Sequence, residues 1–178
     1  EYDIQCGMVK TILLVEDSIH FYSRYLPLLY TEIMLQTQRL ISDELNMFAK
    51  KTRMRLRPKV LMVHSYEAAV ALVEKYNDNL LCLISDIAYP KNGELDEEAG
   101  FHLMEYMQNT TQGVPLLLQS SDIDNYSRAY ELGASFLNKN SDRLMADIRT
   151  FIINHLGFGD LILRNAKGEE IARARNLD

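Results

Sequence analysis
The sequence predicts a doubly wound α/β domain built on a five-stranded parallel sheet. Three observations carry the prediction. Apolar runs and amphipathic runs alternate five times along the chain. The apolar runs are short and continuous, as in strands covered on both faces. The runs between them place apolar residues three and four apart, which is the period of a helix. A chain of 178 residues, 47% hydrophobic and 25% charged, suits one such domain with an appendage and excludes a largely disordered chain.

The elements follow in order. Residues 9–15 (VKTILLV) read as the first strand, and a long helical stretch follows. Residues 59–64 (KVLMVH) are the second strand and 66–76 (YEAAVALVEKY) a helix. Residues 80–85 (LLCLIS) are the third strand, and 100–108 (GFHLMEYMQ) a helix after a loop. Residues 114–118 (VPLLL) and 134–137 are the fourth and fifth strands, with a helix over 125–132 between them. The last helix spans 142–156, and Gly157 is its stop signal. Residues 161–164, 165–168 and 169–174 read as strand, turn and strand. The organisation expected is a domain over 8–157 with insertions at about 30–55 and 91–99. Residues 158–178 then form a hairpin or begin a following domain.

About 40 residues separate Asp17 from the second strand, where one helix needs about 15. Ile19, Tyr22, Leu26, Leu29, Ile33 and Leu40 recur at helical spacing. One helix from Ser18 to about Lys51 would reach roughly 50 Å, further than a small sheet covers. Its projecting apolar stripe folds back on its own domain, pairs with a second copy or docks on a neighbouring domain, so a homodimer through this helix is one expectation. Pro27 removes a backbone donor and is expected to kink it. Residues 91–99 (KNGELDEEA) read as a solvated acidic loop. The basic stretch KKTRMRLRPK alternates Arg53, Arg55 and Arg57 with Met54 and Leu56, which extends the second strand outward. Pro58 then requires an edge position.

Composition narrows the classes of function. The formal net charge is −6, which argues against nucleic acid as a partner. No apolar run reaches the roughly 18 residues of a membrane span. Two cysteines cannot build a disulfide framework, and Cys82 lies in an apolar run, so a reducing cytoplasmic setting is expected. The chain opens on EYDIQCGMVK without a signal-peptide pattern and is expected to be a piece of a longer protein.

In an open parallel sheet, function gathers at the carboxyl ends of the strands. Here the first strand ends in Glu16 and Asp17, the third in Asp86 and the fourth in Ser120 and Ser121. Lys139 follows the fifth. With strand order 2-1-3-4-5, Glu16, Asp17 and Asp86 converge. Carboxylates packed together repel and need a cation, and hard oxygen ligands with open water positions favour Mg²⁺. Asp17 and Asp86 are the expected direct ligands, with Glu16 acting through water and the backbone carbonyl of Ala88 as a third protein ligand. A carboxylate beside Mg²⁺ is able to attack a phosphoryl group and become an acyl phosphate. Lys139 would neutralise the phosphoryl oxygens, and Ser120 would offer one of them a hydroxyl. Singly, each of these residue types serves more often as a cap, a turn or solvated surface. Their order on successive strand ends is the signal.

These residues resemble response-regulator receiver domains, whose fold is flavodoxin-like. The matching motifs are ILLVEDS (12–18), DIAYP (86–90), PLLLQSS (115–121) and ELGASFLNK (131–139). The resemblance implies Asp86 as phosphoacceptor, Glu16 and Asp17 as the acidic pair, Ser120 as switch hydroxyl, Phe136 as switch aromatic and Lys139 as the phosphoryl-contacting lysine. It implies Mg²⁺ as cofactor, and a histidine kinase or phosphotransfer protein as partner. Ala88 and Asp122 would flank the path of the hydrolytic water. The chain departs from the pattern at Asn140, where the family usually has a cis proline. A cis bond to Asn costs about 3–4 kcal/mol, so the departure leaves open whether the Lys139–Asn140 bond is cis, or trans with Lys139 shifted. The tail LGFGDLILRNAKGEEIARARNLD also resembles the junction after a receiver-like region in multidomain proteins related to phosphoenolpyruvate synthase and pyruvate phosphate dikinase. His20, His64, His102 and His155 share no metal spacing, and only His20 falls near the predicted site.

The function expected is a phosphorelay signal receiver rather than an enzyme with turnover. The alternative is a receiver-fold interaction or dimerisation module that is not phosphorylated. A haloacid-dehalogenase type of phosphatase would want a second Asp at the position held by Ala88.

Overall fold
A computed structural model describes residues 9–42, 57–111 and 113–156, together with Ile4, Met47 and the backbone of two further strands, 161–164 and 170–174. Five parallel strands form the central sheet: β1 Thr11–Val15, β2 Lys59–Val63, β3 Leu80–Asp86, β6 Leu116–Ser120 and β7 Ser135–Asn138. Their order is β2-β1-β3-β6-β7, which is the 2-1-3-4-5 order with a hairpin intervening in the chain. That hairpin pairs β4 Tyr89–Lys91 with β5 Glu94–Asp96. The helices are α1 Ile19–Ser42, α2 Tyr66–Tyr76, α3 Ala99–Thr110, α4 Asn125–Glu131 and α5 Leu144–His155. A separate antiparallel pair joins β8 Leu161–Arg164 to β9 Glu170–Ala174.

Strand side chains alternate between the two faces, and each face has its own core. Ile12, Leu14, Cys82, Ile84, Leu117 and Leu137 lie under α1 and α5. Leu13, Val15, Leu83 and Leu118 lie under α2, α3 and α4. Burying a Leu or Ile side chain contributes about 1.5–3 kcal/mol, so both faces must be covered for the sheet to persist.

The structure alters several sequence expectations. The loop expected at 91–99 begins instead with the β4–β5 hairpin. Its turn is Asn92 (φ 55°) and Gly93 (φ 82°), the left-handed pair that closes a two-residue hairpin with the twist of its strands. The fourth strand runs to Ser120 rather than Leu118, so Gln119 and Ser120 are strand residues. The helix after Asp17 continues through Pro27 without ending. Its buried side is Tyr25, Leu29, Ile33 and Thr37. Ile19, the first residue of the helix, is 71% exposed although it lies five full turns from buried Thr37 and so on the same helical line. The outer part of the predicted helix, and the strand extension at Arg53 and Arg55, fall outside the described residues. The edge position of β2 agrees with Pro58. Among the described residues no helix is long and apolar enough to cross a membrane.

One close approach places the turn after Asp86. The Gly100 N–H in the first turn of α3 donates to the Ile87 carbonyl at 2.8 Å. A side chain at Gly100 would collide with the Asp86 carbonyl oxygen and the Ile87 Cα. Gly100→Ala is expected to destabilise the fold by about 1–3 kcal/mol, because the obstruction is backbone and cannot rotate away. A lowered midpoint in urea denaturation checks this, and an unchanged midpoint contradicts it.

Candidate functional site: an acidic pocket closed by a lysine
The same alternation that builds the cores delivers the site. Ile12 and Leu14 precede Glu16 on one face, and Cys82 and Ile84 precede Asp86. Leu117 precedes Gln119, and Leu137 precedes Lys139. Continuing each strand by one pleat puts all four polar residues on the α1–α5 face at the carboxyl edge. The register aligns them: Val15 pairs with Ser85, and Asp86 pairs with Gln119. Where the apolar pattern stops, the face becomes charged.

Glu16, Asp17 and Asp86 each place a carboxylate oxygen within 4.8 Å of the others. Lys139 Nζ lies 2.7 Å from Glu16 Oε2 and 2.6 Å from Asp86 Oδ2, and both Glu16 and Lys139 are buried. The ammonium also sits 4.1 Å from the centre of the Phe21 ring. Glu16 accepts further hydrogen bonds from the Ser18 N–H at 3.1 Å and the Gln119 side-chain amide at 3.0 Å. Asp86 Oδ1 accepts from the Ile87 N–H at 2.8 Å. With the carboxylates ionised, one ammonium leaves two negative charges uncompensated. A hard-oxygen donor set with that deficit fits a divalent cation. Burial pushes the Glu16 carboxyl up to about 7, with the Asp86 charge adding to it and Lys139 pulling the other way.

The remaining expected residues stand as follows. The backbone holds Ser120 and Lys139 together, the Lys139 N–H donating to the Ser120 carbonyl at 2.8 Å. The Ser120 hydroxyl accepts from the Asp122 N–H at 3.0 Å and the Asn125 amide at 3.2 Å, so it is engaged in the turn leading into α4. Phe136 is half-buried and meets Tyr126 edge-on, with centroids 5.8 Å apart. Ala88 lies between β3 and β4 and is half-buried. No peptide bond among the described residues is cis, and Lys139 nonetheless reaches both carboxylates. His20 is exposed and packs against Phe21.

Four residues at the site escaped the sequence reading. Gln119 and Phe21 contact the charged groups directly. His64 Nδ1–H donates to the Glu16 carbonyl at 2.7 Å from the end of β2. Tyr25 is buried on the same face, and its hydroxyl finds no partner among the described residues. The parity of Gln119 with Leu117 was a usable signal; nothing in the sequence marked His64.

The Glu16 shift predicts a pH dependence. Its folded pKa lies above the ordinary carboxylate value of 4.5, so its contribution to stability is fully present below that value and is lost as pH rises through about 7. Thermal unfolding of metal-free protein is expected to show Glu16→Gln flattening the fall in melting temperature between these limits. Added Mg²⁺ should raise the wild-type melting temperature more at the upper limit than at the lower. A Glu16→Gln profile that tracks wild type would contradict this.

No family model matches the chain, and no curated protein matches it. Solved structures do. A response-regulator receiver-domain protein from Clostridium thermocellum superimposes with a TM-score of 0.54 at 18% identity, covering 83% of this chain and 94% of that one. The phosphorylated cyanobacterial phytochrome response regulator RcpA gives 0.50 at 15% identity, covering 92% and 99%. At these identities the likeness is one of architecture: the chain has the fold of response-regulator receiver domains.

Proposed function
We propose that this chain is a phosphorelay signal receiver in which Asp86 is the phosphoacceptor. The observation that supports the reading most is the contact of Lys139 Nζ with Asp86 Oδ2 at 2.6 Å, inside a carboxylate trio compact enough for a cation. The fold shared with receiver domains adds to it.

Glu16, Asp17 and Asp86, with the Ala88 carbonyl, would hold Mg²⁺. When bound, the ion neutralises charge on phosphoryl oxygens. An Asp86 carboxylate oxygen forms the new bond to phosphorus as the bond from phosphorus to a donor imidazole nitrogen of a histidine kinase or phosphotransfer protein breaks. The electron pair of that bond stays with the departing imidazole. Lys139 then turns its ammonium to the phosphoryl oxygens, a group of about −2 charge. Ser120 exchanges its bonds in the α4 turn for one to the same group, and Phe136 moves with that turn. Phosphorylation biases the fold only through this difference in contacts between the two states. Water then hydrolyses the acyl phosphate, returning the Asp86 carboxylate and releasing inorganic phosphate, so the chain acts as a switch on its own phosphoryl group rather than as an enzyme turning over a separate substrate.

Self-association along α1 belongs to the same proposal. Ile19 and Tyr30 are exposed and lie about three turns apart on one line of the helix. Light scattering at high concentration should find a dimer that Tyr30→Glu disperses. A monomer at all concentrations contradicts this part.

For the acceptor, ¹⁹F NMR of beryllofluoride provides the test. The wild type should give a bound resonance that requires Mg²⁺, and Asp86→Asn should abolish it while the far-UV circular dichroism stays the same. A bound resonance surviving in Asp86→Asn, or none in the wild type, rejects Asp86 as acceptor.

A further inference from the structure
Gln119 lies on β6 with no exposed surface, and its register partner is Asp86. Its amide nevertheless reaches past β3 to Glu16 just after β1, donating to Oε2 at 3.0 Å. Lys139 binds that same oxygen at 2.7 Å. The other end of the amide is not satisfied: Gln119 Oε1 is buried and has no hydrogen-bond partner among the described residues. A buried acceptor without a partner destabilises a fold, and an apolar side chain of the same length would avoid the penalty. Such a group in a well-packed face points to a function served by its other end.

We propose that Gln119 is a positioning residue that holds Glu16 while Lys139 leaves it. The inference rests on the reading of Asp86 as phosphoacceptor. Before phosphorylation Lys139 divides its three donors between Glu16 and Asp86. A phosphoryl group on Asp86 draws the ammonium away, and a buried carboxylate stripped of its donor is costly. The Gln119 amide already occupies Oε2 and does not depend on Lys139. With the Ser18 N–H on Oε1, it keeps Glu16 bonded at both oxygens during the transfer. Gln119 thus lowers the penalty of moving the lysine.

Gln119→Met removes the donor, keeps the length and removes the orphaned oxygen. Three quantities are measured on wild type and variant: the melting temperature of metal-free protein, the Mg²⁺ dissociation constant and the rate of phosphoryl uptake from a small phosphodonor, followed by intact mass. The melting temperature should be equal to or above that of the wild type. The Mg²⁺ constant should change little, because Lys139 still holds Glu16 in that state. Uptake should fall roughly tenfold or more, the effect of losing a hydrogen bond to a charged group. Full uptake in the variant overturns the proposal. So does a parallel loss of stability and uptake, or failure of both Gln119→Met and Gln119→Leu to fold, since the amide is then structural. A wild type that takes up no phosphoryl group overturns the acceptor reading itself and this proposal with it. That outcome is recognised from the wild type alone.

Discussion
Glu16 and Asp86 end neighbouring strands, and an acidic pocket of this kind cannot be closed by packing alone. Two carboxylates on adjacent strands of a sheet repel, and burial multiplies the repulsion. Lys139 resolves it by bringing one ammonium to 2.7 and 2.6 Å from both. The arrangement balances only in part, because Asp17 adds a third carboxylate at the same edge. The pocket is therefore held together by a cation it carries, and remains short of positive charge by the amount a second one would bring. Removing one partner of a buried ionic set strands the others, which makes this lysine structural and electrostatic at once.

Everything that brings these groups together comes from strand parity. A residue two places beyond a buried one lies on the same face, so a strand that stops being apolar hands its face over to polar groups without any change of direction. On the α1–α5 face this happens on four strands at the same edge. The opposite face keeps its core intact up to Val15, Leu83 and Leu118. Second contacts then fix the charged groups. His64 holds the Glu16 backbone, Phe21 covers the lysine, and Gly100 lets α3 approach the turn after Asp86.

Glu16, Asp17, Asp86 and Lys139 were legible in the sequence because each stands where an apolar run breaks off, and the sheet order converts that into proximity. The β4–β5 hairpin carries the Asn92-Gly93 turn signal, but the acidic residues around it have the composition of a solvated loop. Gln119 follows the apolar run 114–118 and is not apolar itself, so its place on the buried face emerges only from the strand's extent to Ser120. Ile19 shares the spacing of the buried stripe but stands at the first position of α1, and spacing alone does not say where along a helix burial begins. The Ser120 hydroxyl bonds and the His64 contact depend on distances between segments far apart in the chain, and no local pattern encodes them.

The central claim is that a phosphoryl group enters at one carboxylate among three. Mapping an acyl phosphate by borohydride reduction and peptide mass spectrometry, after treatment with a small phosphodonor and Mg²⁺, addresses it directly. The expected result is a single modified residue, Asp86, appearing only when Mg²⁺ is present. Modification at Asp17 or at a histidine, or no modification at all under these conditions, would contradict it.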